Sequence, residues 1–186
     1  MNQLTLYFRS FIIAFFALGM LAIAPTAQAA SKAEINAKVK ATIATFYEKV
    51  PAGKELAKKA AGMLVFPEVI KGGIVLGGEY GEGSLLVNHK TVAYYSTASG
   101  SIGFQLGAQV KSQIILFMTR DALKKFRDSK GWKAGVDGSV ALATLGAGGE
   151  IDSETTRKPI IGFIFSNKGL MYNLTFEGSK ITRLKK

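Results

Sequence analysis

The chain has no cysteine, one histidine, one tryptophan and four prolines among its 186 residues. Without cysteine there is no disulfide and no thiol for lipid attachment, so stability rests on the core. One histidine and no cysteine leave a zinc site without its usual ligands. No serine stands in a Gly-x-Ser-x-Gly elbow, which removes the scaffold for that kind of acyl transfer. The histidine, His89, falls in an expected turn beside Lys90 and reads as solvated surface, not as a base. With no nucleophile, base or metal constellation, the chain reads as non-enzymatic and without a cofactor. Acidic residues are scarce too: 13, against 24 lysines and arginines, for a formal net charge of +11. Such an excess favours anionic partners, whether head groups, nucleic acid or acidic polymers. No nucleic-acid-binding motif accompanies it, so nucleic acid is set aside.

What is present begins with a leader. Residues 2–9 are polar with one positive charge, Phe11 to Ala24 is an unbroken apolar run, and Pro25 precedes Ala27-Gln28-Ala29. This is the pattern of a secretory signal cleaved before Ala30, and the run is shorter than the roughly 20 residues a spanning helix needs. The leader holds one of the basic residues, Arg9, and none of the acids. Residues 30–186 therefore keep 23 basic and 13 acidic side chains, a formal charge of +10. They are expected to form a single domain, periplasmic or secreted.

Ser31-Lys-Ala-Glu34 is a capping box. After it Ile35, Val39, Ile43, Phe46, Tyr47 and Val50 recur at helical spacing, flanked by Lys38, Lys40 and Lys49, until Pro51 ends the pattern. A second short helix over 52–61 carries Lys54, Lys58 and Lys59. From Gly62 to Val87 short β-branched and aromatic runs are separated by Gly72, Gly73, Gly77, Gly78, Gly81 and Gly83. Glycines so placed mark bulges, bends or close backbone approach, and Gly73, Gly78 and Gly83 are expected to hold positions that a β-carbon would obstruct. Gly77 to Gly83 lacks the lysine and serine of a phosphate loop, and Glu79 and Glu82 would repel phosphate.

Strands follow. Asn88-His89-Lys90 reads as a hairpin turn. Ile102, Phe104, Leu106, Ala108 and Val110 alternate with Gly103, Gln105, Gly107, Gln109 and Lys111 as one apolar and one polar or small face. Residues 113–118 form a buried run, and Thr119 caps a helix over 120–129 whose apolar side is Ala122, Leu123 and Phe126. Residues 131–151, again glycine-rich, read as strands with bends, and 152–158 as an exposed polar loop. Glu150, Asp152 and Glu154 would share a face if extended, but a solvated acidic turn is the simpler reading. Residues 159–165 are a buried strand, 167–169 a turn, 170–176 an alternating strand, and Ile181 belongs to a last short one. The fold class is α+β: two N-terminal helices, then a strand-rich, mainly antiparallel curved sheet or barrel-like core with one inserted helix.

Leu64-Val-Phe-Pro-Glu-Val-Ile-Lys-Gly-Gly73 followed by Gly77-Gly-Glu-Tyr-Gly-Glu-Gly83 resembles the core signature of the SYLF lipid-binding domain. Tyr94-Tyr-Ser96, Gly103-Phe-Gln-Leu-Gly107, Phe117-Met-Thr119, Gly131-Trp132 and Phe165-Ser-Asn-Lys-Gly-Leu-Met171 extend the resemblance in order, over about 33–183. Eukaryotic members of that family act at endocytic actin patches and phosphoinositide-rich membranes; bacterial members resemble this chain, a signal peptide followed by the domain. The resemblance implies lipid binding through a basic amphipathic amino-terminal region, here Lys38, Lys40 and Lys49 with Lys54, Lys58 and Lys59 behind them. For an exported protein the available lipids are phosphatidylglycerol, cardiolipin and lipid A, so the partner expected is anionic phospholipid at a membrane surface. The competing class is a structural or interaction module for another envelope protein or an acidic polymer.

Overall fold

The structure is a computed structural model that describes residues 30–73, 76–102, 109–143, 151–166, 169–170, 176 and 178–186. The leader expected over 1–29, the glycines at 146–149, Glu150, the turn at 167–168 and most of the strand expected over 170–176 lie outside them.

Two helices open the described chain. Helix α1, Lys32–Lys49, starts where the Ser31 hydroxyl accepts from the Glu34 N–H at 3.1 Å. Helix α2, Gly53–Lys59, follows the turn at Pro51. Then come β1 Gly62–Gly73, β2 Leu76–Val87, β3 Lys90–Ile102 and β4 Gln109–Phe117. Helix α3, Arg120–Asp128, is capped by the Thr119 hydroxyl and buries Ala122, Leu123 and Phe126. The remainder is β5 Trp132–Lys133, β6 Ala141–Leu142, α4 Ser153–Thr156, β7 Ile160–Ser166, β8 Gly169–Leu170 and β9 Lys180–Leu184.

The strands make one sheet in the order β5-β9-β3-β2-β1-β4-β7-β6, with β8 also on β7. Every strand pairing is antiparallel except β6 with β7, so the sheet is mixed but mainly antiparallel. It cannot be flat. Seven strand spacings of about 4.8 Å would separate β5 from β6 by about 34 Å. Residues 134–140, which join them, span at most roughly 28 Å when extended, and they contain a turn. The sheet therefore curls into a half-barrel. Gly138 shows the closeness of its ends: a β-carbon there would lie 2.9 Å from Trp132 Cζ2 and 3.2 Å from Ile160 Cδ1.

Because side chains alternate across a strand, the curled sheet buries two cores. The inner one joins Leu64, Phe66, Ile115, Phe117 and Ile164 to Phe126 of α3 and to Trp132. The outer one joins Met63, Val65, Ile114, Leu116, Phe163 and Phe165 to Ile35, Val39, Phe46 and Val50 of α1 and its end. The Phe46 ring meets Phe163 edge-on at 4.7 Å.

Several expectations need correction. The glycines at 72–83 do not separate short strands; they lie within or at the ends of β1 and β2, twelve residues each and paired in register apart from a shift between Val65 and Glu68. Gly83 faces that irregularity, where a β-carbon would fall 2.0 Å from the Val65 carbonyl oxygen. Gly78 is different: its β-carbon would meet only the Ser99 carbonyl oxygen at 3.8 Å, an ordinary contact, so nothing obstructs it. Gly73 ends β1 opposite Gly77. The single strand expected over 102–111 is the end of β3 and the start of β4, with 103–108 outside the described residues. Its faces are also reversed at the end, since Val110 is 56 % exposed and Lys111 only 2 %. Lys111 turns into the concave face because Glu79 waits there at 2.8 Å, with Lys71 at 3.6 Å from the same carboxylate. The polar segment 152–158 contains α4, whose cap is Asp152 accepting from the Thr155 N–H at 2.8 Å. Asp152 and Glu154 consequently share no strand face, and the described residues contain no cluster able to hold a metal ion.

Candidate functional site

A groove of about 480 Å³ runs between α1, α2 and the β2–β3 turn. Its existence follows from the width of the α1 stripe. Val39 and Phe46 are buried on the sheet, but Ile43 and Tyr47, one step around the helix, remain partly open and form one wall. Ala57 and Met63 add apolar surface from α2 and β1, and Leu86 closes the floor from β2. Asn36 holds the far end. It donates to the Tyr94 hydroxyl at 3.0 Å and accepts from the Thr91 hydroxyl at 3.1 Å, tying α1 to β3. Burial pushes the Tyr47 hydroxyl up, keeping it a neutral donor at the wall.

The rim is cationic. Lys40 of α1 and Lys58 of α2 line the groove, both exposed, and His89 stands at its mouth from the turn. Asn88 and His89 adopt φ of 49° and 63°, the left-handed geometry of a tight hairpin turn. Lys58 donates to Glu55 at 2.7 Å, which draws the Glu55 carboxyl below its usual range. Both partners are more than half exposed, and a surface pair of this kind is weak and readily exchanged for another anion.

The six lysines expected at a lipid site do not form one cluster. Lys40 and Lys58 meet at the groove. Lys38 lies across α1, beside a second depression, and pairs with Glu68 at 2.8 Å and Glu34 at 3.0 Å. Those two carboxylates, Glu68 first, raise its pKa. Lys49 is half-buried at the end of α1, and Lys54 and Lys59 are exposed on α2. His89, read from the sequence as plain surface, joins the rim. The available signal was the apolar stripe of α1, too broad at Ile43 and Tyr47 for a helix that packs on one side only.

No helix among the described residues is long and apolar enough to cross a membrane. Among known proteins, the chain matches a family model described as Ysc84, a Las17-binding protein actin regulator, over residues 98–186. That stretch runs from the second half of β3 to the end of the chain, so every residue lining the groove precedes it. No curated protein matches. Over residues 98–186 the chain is thus similar to the Ysc84 family, a match that supports the resemblance to the SYLF domain carried by its sequence motifs.

Proposed function

We propose that this protein is an exported, non-enzymatic domain that binds anionic phospholipid in the cell envelope, periplasmic or peripheral on a membrane. The observation that carries the reading is the groove, whose lining brings Ile43, Tyr47, Ala57, Met63 and Leu86 together with Lys40 and Lys58. An acyl chain matches those apolar residues, and a phosphate matches two exposed lysines, of which Lys58 holds only the solvent-exposed Glu55. The groove size falls in the range of ordinary ligand sites, roughly 300–1,000 Å³. The formal charge of +10 over residues 30–186 adds long-range attraction to an anionic surface. The match to a family described as a Las17-binding actin regulator supports a binding role.

Vesicle co-sedimentation tests the reading. The protein should pellet with phosphatidylglycerol vesicles and not with phosphatidylcholine vesicles. Raising the salt from 0.05 M to 0.5 M, which shortens the Debye length severalfold, should release most of it. Equal affinity for both vesicles, or binding indifferent to salt, would overturn the electrostatic part of the proposal.

A further inference from the structure

Glu82 gathers donors from its own strand and from two distant parts of the chain. Its side chain on β2 is 11 % exposed. The Tyr80 hydroxyl donates to it at 2.9 Å and Lys186 Nζ at 2.7 Å, and the backbone N–H of Ala30 donates to the same carboxylate. Lys186 Nζ also reaches the Ala30 carbonyl oxygen, closing a ring of contacts around residue 30. The Ala30 side chain packs against the outer core. Burial pushes the Glu82 carboxyl up, but Lys186, Tyr80 and Ala30 outweigh it and leave the group below its usual range. Tyr80 answers in the opposite direction, pushed up to about 12 by its own burial and by this carboxylate.

Ala30 is also the residue that cleavage after Ala27-Gln28-Ala29 would leave first. We infer that Glu82 is the receiving site for the amino terminus created when the leader is removed. The inference rests on the export reading above. Hydrolysis of the Ala29–Ala30 peptide bond consumes one water; Ala29 departs as a carboxylate, and the Ala30 nitrogen, gaining protons, becomes an ammonium. A single neutral N–H facing Glu82 is thereby replaced by a charged group with three donors, and an amide contact becomes an ion pair. Location makes this more than a surface pair. Ser31 caps α1, so the new cation sits next to the positive end of the helix dipole, where a charge of that sign is disfavoured. Glu82 offsets that repulsion and fixes the first residue before α1, which forms one wall of the groove.

The experiment compares purified proteins of defined start: one beginning at Ala30 and one retaining Gln28-Ala29, each with Glu82 and with Glu82→Gln. With Glu82 present, the Ala30 form should melt at least about 3 °C above the extended form at pH 7, on the scale set by one such contact in a domain of this size. In the Glu82→Gln background the difference should vanish. Nα-acetylation of the Ala30 form supplies the same test without that substitution, because it removes the charge while keeping an N–H, and it should erase the advantage. Equal melting of the two starts with Glu82 present, an advantage that survives Glu82→Gln, or one that survives acetylation would overturn the inference. Intact mass of the exported protein tests cleavage by itself. Retention of residue 1 would refute the export reading, whereas the melting comparison decides the role of Glu82.

Discussion

Replacing Gly83 with alanine is expected to lower the melting temperature by about 10 °C. The added β-carbon would lie 2.0 Å from the Val65 carbonyl oxygen and 2.8 Å from Phe66 Cδ1. The first is a backbone atom at the register shift between β1 and β2, so no side chain can rotate aside to make room. Either the two strands part, or Phe66, fully buried in the inner core, moves. Overpacking of this kind costs up to about 3 kcal/mol, and each kcal/mol shifts the melting point by roughly 2–4 °C in a domain of 150–250 residues. Gly78→Ala is the control. Its β-carbon would have open space apart from one contact at 3.8 Å, so its melting point should stay within about 2 °C of the parent. Thermal denaturation of both variants separates the two glycines, and equal melting would show that the close approach at Gly83 is not real.

Reversing Lys40 and Lys58 together to glutamate should weaken binding to anionic vesicles by about three orders of magnitude. A basic residue near an anionic surface contributes about 1 kcal/mol. Reversal removes that attraction and adds a repulsion of similar size, so the pair changes binding by about 4 kcal/mol, at 1.4 kcal/mol per factor of ten. Both side chains are exposed, and the melting point should hardly move. Lys38→Glu offers the contrast. Its ammonium is already held by Glu34 and Glu68 on the other side of α1, and its loss should change binding less than tenfold. A titration in which Lys38→Glu costs as much as the double variant would mean that charge is read diffusely, with no role for the groove.

Which parts of this molecule could be read from the sequence follows from the range of the forces involved. Helix α1 was legible because Ser31, Glu34 and the apolar stripe are local signals, and α3 because Thr119 and its three buried residues fall within two turns. Strand β7, apolar on both faces, announced that the sheet is covered on both sides. The long β1 and β2 were not legible. Their glycines look like breaks in sequence, and only pairing with neighbouring strands shows that the chain runs straight through them. Lys111 and Val110 were assigned to the wrong faces because alternation reports polarity, whereas the partner that makes a buried lysine tolerable, Glu79, lies two strands away. Helix α4 was missed because four residues are too few to show a period. At the site, Lys40 and Lys58 were identifiable one by one. Their meeting depends on how Pro51 and Gly53 fold α2 back on α1, and His89 arrives from a hairpin more than thirty residues further on.

The groove itself is tested most directly by native mass spectrometry of the protein purified from the membranes of the cells that express it. The parent should carry one anionic phospholipid per chain. Ile43→Trp, which places a bulky ring in the wall of the groove without touching a lysine, should carry none. A parent free of lipid, or an Ile43→Trp variant that retains it, would contradict binding in this groove.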